Sequence, residues 1–234
     1  MPSPAARRRL SDYADVLGTP TMDAWPVVAE EIPEGSMLTG GTALAVHLLH
    51  RRSDDLDVLT PDEFDPDPIH AALDRRGSFE LARKSQGHLH GTFDGVRLDI
   101  LWNAGARTLD APTKVAGLAV GSVQDIMATK LRAITSRHVL RDYFDVMCIE
   151  QSTGISLEEG LALYVRKYAI TPQHGSVHAL VKGLGYFDDV EDDPVLRTRV
   201  GEGVRDRVTA FFESRHPDVV RAFLRGLGPQ TGSS

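Results

Sequence analysis

Apolar and polar positions change their rhythm near Gly121 in this chain of 234 residues. Before that point, short alternating runs are interleaved with helical ones. Residues 5–17 have helical spacing and are expected to end at Gly18, ahead of Pro20. Residues 36–39 read as a short strand, and residues 42–50 as a helix opening directly after Gly40-Gly41. Residues 56–59 form a second predicted strand, stopped by Pro61, and residues 69–76 a helix closed by Gly77. Between His88 and Trp102, two alternating runs flank Asp94-Gly95, a strong hairpin signal. In the second run Val96, Leu98 and Ile100 alternate with Arg97 and Asp99, which marks a half-buried strand.

Past Gly121 the spacing is helical throughout. Ser122 and Asp125 have the separation of a capping box, opening a helix through Lys130 toward Arg137. Residues 141–151 continue or restart it, and Ser156 with Glu159 repeats the signal before residues 161–168. A last helical stretch, residues 199–227, is expected to break near Pro217, and residues 228–234 read as a frayed tail. The pattern predicts an α+β fold: a core domain with a mixed sheet over residues 1–120, then a helical domain over 121–234.

Composition narrows the class. Apolar residues at 41% and charged residues at 25% are near the soluble average. No apolar stretch is long enough for a bilayer, so a membrane location is not expected. Arg7, Arg8 and Arg9 are followed by no apolar run, which argues against a secretory signal. A single cysteine, Cys148, excludes an intrachain disulfide framework and a cysteine-rich zinc site. These features point to the cytoplasm. The net charge of −7 argues against a general nucleic-acid binder. It leaves room for local basic clusters at Arg51-Arg52, Arg75-Arg76, Arg83-Lys84 and Arg166-Lys167.

The chemistry concentrates between Leu38 and Asp57. Gly40-Gly41, between a strand and a helix, lets backbone approach a ligand and offers helix N-terminal N–H groups to phosphate oxygens; Thr42 adds a hydroxyl. Asp55 and Asp57 alternate with Leu56 and Val58, so both carboxylates point to one side of a strand. Held about 7 Å apart, they repel unless a cation lies between them. Hard oxygen ligands select Mg2+ or Mn2+. If the hairpin strand pairs beside residues 56–59, Asp99 joins them, and three carboxylates facing a glycine-rich loop form a two-metal phosphoryl-transfer site. On one continuous helix Lys130, Arg137 and Arg141 share a stripe, a clamp for a triphosphate that Asp142 and Asp145 would orient. His88 and His90 read as hairpin surface residues, and His47 and His50 as packing residues.

The run Leu38-Thr39-Gly40-Gly41-Thr42-Ala43-Leu44, then His50-Arg51-Arg52-Ser53-Asp54-Asp55-Leu56-Asp57, resembles the first signature of the AbiEii/AbiGii-type toxins. These include the MenT toxins and belong to the polymerase-β-like nucleotidyltransferase superfamily. Lys130-Leu131-Arg132-Ala133, Arg137 and Arg141-Asp142-Tyr143-Phe144-Asp145 resemble the second. The resemblance implies a minimal nucleotidyltransferase core followed by a helical bundle. It implies metal-dependent transfer of a nucleoside monophosphate from a nucleoside triphosphate to RNA, with tRNA as acceptor, beside a separately encoded antitoxin. Asp55, Asp57 and Asp99 would hold Mg2+ or Mn2+, and Asp99 would activate the attacking hydroxyl. Gly40, Gly41, Thr42, Ser53, Lys130, Arg137, Arg141 and Asp142 would hold the nucleotide. Some family members work with fewer acids, which bears on Asp99. The alternatives are a small-molecule transferase of the antibiotic-modifying type, and a non-catalytic binding module on a decayed transferase fold.

Overall fold

Pro20 opens a helix instead of closing one. In the computed structural model, which describes residues 9–226, helix α1 spans Thr19–Glu31 with Pro20 in its first turn. A proline there loses nothing, because that N–H has no partner within a helix. The helix expected over residues 5–17 shortens to a 3-10 turn at Leu10–Tyr13; its residues 5–8 lie outside the described residues, as do 227–234 with the expected tail. Trp25 anchors α1. Its indole is fully buried and donates from Nε1 to the Val115 carbonyl at 3.1 Å.

After α1 come β1 (Met37–Thr39), α2 (Gly40–Leu48), β2 (Leu56–Thr60), α3 (Pro66–Arg76), β3 (Phe79–Ser85), β4 (His88–Phe93), β5 (Val96–Trp102), β6 (Thr113–Val115) and β7 (Leu118–Val120). The strands make one mixed sheet in the order β3-β4-β5-β2-β1-β7-β6. β2 runs parallel to β5 and β1 parallel to β7, while the other neighbours are antiparallel. Strand β3 was not anticipated, because its residues after Phe79 are all exposed and show no alternation. Leu38, Leu56, Val58, Leu89, Phe93, Leu98 and Ile100 are buried along one side of the pleat. Both α1 and α3 pack on these strands. The intervening positions stay half exposed.

The helices are α4 (Val123–Ser136), α5 (Leu140–Thr153), α6 (Leu157–Lys167), α7 (Gly175–Gly183), α8 (Pro194–Val200) and α9 (Val204–Leu224). The described residues divide into two units after Ser122, except that Ala106–Leu109 belongs with the helices. The reason is a buried ion pair. The Lys167 ammonium, 2.6 Å from Asp125, also donates to the Arg107 carbonyl at 3.0 Å, while Asp125 accepts the Leu109 N–H.

Pro217 does not break the last helix: α9 runs through it. An interior proline costs about 3 kcal/mol, and Phe212 and Val219, buried on either side, offset that. Arg215 strengthens the hold by pairing with Glu150 on α5 at 2.7 Å and Glu158 on α6 at 2.6 Å. Among the described residues no helix is long and apolar enough to cross a membrane.

Trp25→Ala is expected to lower the unfolding free energy by about 3–5 kcal/mol, since it empties a large buried site. Trp25→Phe, which keeps a ring but loses part of the volume and leaves the Val115 carbonyl without its donor, should cost about 1–3 kcal/mol. Urea unfolding of the three proteins checks the order.

Candidate active site

The strand register gathers the acids. Asp57 on β2 lies directly beside Asp99 on β5, and Thr39 on β1 lies on the other side of Asp57. Strand β4 extends the row, with His90 opposite Asp99, and β3 ends it, with Arg83 opposite His90. Because side chains alternate, Arg97 and His88, two residues along, lie on the same side, and Asp55, one residue before β2, pairs with Arg97 there. Asp55 and Asp99 are 39% and 37% exposed, open enough to meet a ligand.

Neighbouring strands lie about 4.8 Å apart, so these carboxylates repel. Cations and imidazoles counter that. Arg97 Nη2 lies 2.6 Å from Asp55 Oδ2. His88 Nε2 is 2.9 Å from Asp99 Oδ1, and His90 Nδ1 is 3.9 Å from Asp99 Oδ2. The carboxylate of Asp57 is pressed against the start of α2. Gly40 has φ +72°, and a Cβ there would come within 3.0 Å of Asp57 Cγ and collide with an oxygen. Only glycine allows both that backbone and that approach. A helix N-terminus also favours a negative charge beside it.

The donor chemistry suits a hard divalent cation, since Mg2+ is often bound by one or two carboxylates with water and phosphate completing its shell. Asp57 and Asp99 provide such a pair. Among the described residues, however, no group of three or more acids, histidines or cysteines is spaced to hold one ion. Asp55 turns to Arg97 and Asp99 to His88, so the three-carboxylate cage expected from sequence is not closed.

Several expected nucleotide contacts are committed to the fold. Thr42 is fully buried; its hydroxyl donates to the Asp55 carbonyl and can accept the Ser53 hydroxyl, whose Oγ lies 3.1 Å away. Ser53 is buried as well. A Cβ on Gly41 would fall 2.6 Å from Arg51 Nη2 and 2.8 Å from Ser53 Oγ. These residues brace the turn carrying Asp55 rather than facing a ligand. Gly40 alone of the four lies against an acid of the open face.

The cationic stripe is also corrected. Helix α4 ends at Ser136 and α5 begins at Leu140, so Lys130 and Arg141 do not share a helix. Lys130 is 4% exposed. Its ammonium lies 2.8 Å from Asp142 and 2.7 Å from Asp145, both fully buried. Arg137 Nε, half exposed, reaches the other Asp142 oxygen at 2.9 Å, and Arg141 approaches Asp193 at 3.7 Å. Two carboxylates and two cations cancel. In this arrangement Lys130 neutralises buried acid instead of presenting charge to a triphosphate.

The expected basic clusters shrink in the same way. Arg51 and Lys167 are buried, while Arg52, Arg76 and Lys84 pair with Asp54, Glu30 and Asp67. Lys84 holds the Asp67 carboxyl below its usual range. What sequence reasoning missed are Arg97, His88 and His90. The period-2 spacing of the histidines was visible, but their partner Asp99 lies on another strand.

The model of the AbiEii family, described as nucleotidyl transferase AbiEii toxin of a type IV toxin–antitoxin system, matches residues 95–218. That span includes Asp99, Lys130, Asp142 and Asp145, and it excludes Gly40 through Asp57. An uncharacterized protein of Aquifex aeolicus (strain VF5) is 29% identical over 171 residues, covering 71% of this chain and 81% of its own. A Helicobacter pylori protein provisionally described as a nucleotidyltransferase has a similar structure, with TM-score 0.51 and 18% identity over 84% of this chain and 93% of that one. The nucleotidyltransferase toxin MenT4 of Mycobacterium tuberculosis H37Rv aligns with TM-score 0.50 and 13% identity over 92% and 91% of the two chains. At such identities the structural likeness concerns the fold.

Lys130→Met should destabilise the helical unit by about 3–5 kcal/mol, because it leaves buried carboxylates short of a cation. Thermal unfolding of Lys130→Met beside Lys130→Arg measures this. A Met variant as stable as wild type would show that this ion cluster contributes no stability.

Proposed function

Because the chain belongs to the AbiEii nucleotidyltransferase toxin family, we propose that it transfers a nucleoside monophosphate from a nucleoside triphosphate to an RNA acceptor, tRNA. The observation that carries this reading is the β2–β5 register, which sets Asp57 beside Asp99 on an open face whose edge is Gly40. The chain is a nucleotidyltransferase of toxin type; the triphosphate, the acceptor, the metal and the residue roles are what we add.

Asp57 and Asp99 would hold Mg2+ or Mn2+, while Asp55 stays turned to Arg97. When bound, the ion neutralises triphosphate oxygens and the charge gathering on the leaving group. Asp99, exposed and fixed on a strand, accepts the proton of the acceptor hydroxyl. That oxygen attacks the α-phosphorus as the bond from the α-phosphorus to the bridging oxygen breaks. The bonding pair departs with pyrophosphate. Gly40 keeps backbone close to Asp57 and leaves room that a side chain would fill. Arg97 keeps Asp55 in place against its acidic neighbours.

Acceptor binding can draw on the basic clusters read from the sequence. Among the basic clusters, Arg75, Arg83 and Arg166 remain exposed and enter no ion pair among the described residues. RNA is recognised by shape as well as by phosphate contacts, so a few contacts and a shallow salt dependence follow. A separately encoded antitoxin would restrain the enzyme, and the cytoplasm, where NTP and tRNA are found, is its proposed location.

Incubation with Mg2+, each α-labelled triphosphate and total RNA should label RNA of tRNA size. Asp57→Asn should reduce labelling about 10²-fold or more while circular dichroism stays unchanged. Expression of the wild type, and not of Asp57→Asn, should arrest growth. Label on a small cationic molecule and on no RNA would replace this reading with the antibiotic-modifying type. Activity of Asp57→Asn within tenfold of wild type would remove the acid pair from the mechanism.

A further inference from the structure

A carboxylate on a strand turns easily about its last torsion, whose preference is broad and roughly two-fold. General-base work and metal binding both need one chosen oxygen in one direction. Strand β4 supplies what would choose it. His88 Nε2 is within hydrogen-bond distance of Asp99 Oδ1, at 2.9 Å. His90 lies directly opposite Asp99 in the antiparallel register and points Nδ1 at the other oxygen from 3.9 Å. That nitrogen is buried and has no hydrogen-bond partner among the described residues. Buried polar atoms are normally paired, so an orphan aimed at a carboxylate calls for a reason. The two imidazoles stand side by side, with centroids 6.3 Å apart and planes 30° from parallel, one facing each oxygen of Asp99.

We propose that His88 and His90 form an imidazole cradle that sets the orientation of the Asp99 carboxylate. Both are positioning residues, acting through Asp99. His88 donates to Oδ1 and fixes the plane of the carboxylate. His90 excludes water from the Oδ2 side and stands ready to receive that oxygen when the carboxylate turns. The inference rests on the proposed role of Asp99 in transfer. Other charged groups on this face are Asp57, beside Asp99 on β2, Arg83, opposite His90 on β3, and Arg97, which is turned to Asp55. The imidazole nitrogens face the two oxygens of Asp99, which makes Asp99 their partner.

His88→Ala is expected to lower kcat about 10- to 100-fold, the usual loss when a hydrogen-bonded supporting group is removed, with KM for the triphosphate within about twofold. His88→Gln, which keeps an N–H donor, should recover most of the loss. In an Asp99→Asn background, His88→Ala should add nothing, because a residue acting through another has no effect once that one is gone. Imidazole 15N spectra give a readout independent of turnover: His88 should show Nε2–H at neutral pH, and Asp99→Ala should change that signal.

A multiplicative loss in the double variant, or His88→Ala turning over within twofold of wild type, would overturn the cradle. So would an His88 spectrum indifferent to Asp99→Ala. If the wild type transfers no nucleotide, or Asp99→Asn is fully active, the functional reading fails instead. The spectra then decide the cradle alone.

Discussion

Everything at the open face depends on β2 and β5 running parallel in one register. That pairing puts Leu56 beside Leu98 and Val58 beside Ile100 in the core, and the same register necessarily brings Asp57 next to Asp99. A slip of one residue would turn the acids into the core and the aliphatic side chains to water. The hydrophobic face therefore enforces an electrostatic arrangement that repels itself. Core burial at roughly 25 cal/mol per Å2 supplies what holds the acids together, with Arg97, His88 and the N-terminus of α2 easing the repulsion.

The helical unit solves a different problem. It buries Lys130 and Lys167 together with Asp142, Asp145 and Asp125. Buried ion pairs contribute little net stability compared with an apolar replacement, yet losing one member is costly. They act as selective fasteners. Lys167 draws the segment Ala106–Leu109 to the helices, and Lys130 fastens α4 to α5 across the break at residues 137–139. Nearby, Tyr143 is completely buried; burial raises its phenol well above the ordinary value, and its OH donates to the Gly183 carbonyl at 3.1 Å.

Several of the described cations pair with acids of the same chain. Arg76 bridges two glutamates, Arg215 meets three acids, and Arg97 meets Asp55. Arg75, Arg83 and Arg166 stay exposed outside any ion pair among the described residues. The proposed RNA acceptor would meet exposed cations of this kind and be recognised by shape as well.

Sequence alone determined whatever depends on local period and turn chemistry. The alternation in residues 96–101 marked β5, Asp94-Gly95 marked the β4–β5 turn, and Ser156 with Glu159 marked the start of α6, where the Ser156 side chain accepts the Glu159 N–H at 3.2 Å. The same period put Asp57 on the side of β2 away from Leu56 and Val58, while Asp55 lies one residue before the strand. Only the tertiary structure decided which strand lay beside them, and so gave Asp99 two imidazoles and Asp55 an arginine. It also turned Thr42, Ser53 and Lys130 inward, although their sequence setting suggested a ligand. A side chain's spacing fixes the face from which it leaves the backbone; whether that face meets water, a carboxylate or a carbonyl depends on elements far away in the chain.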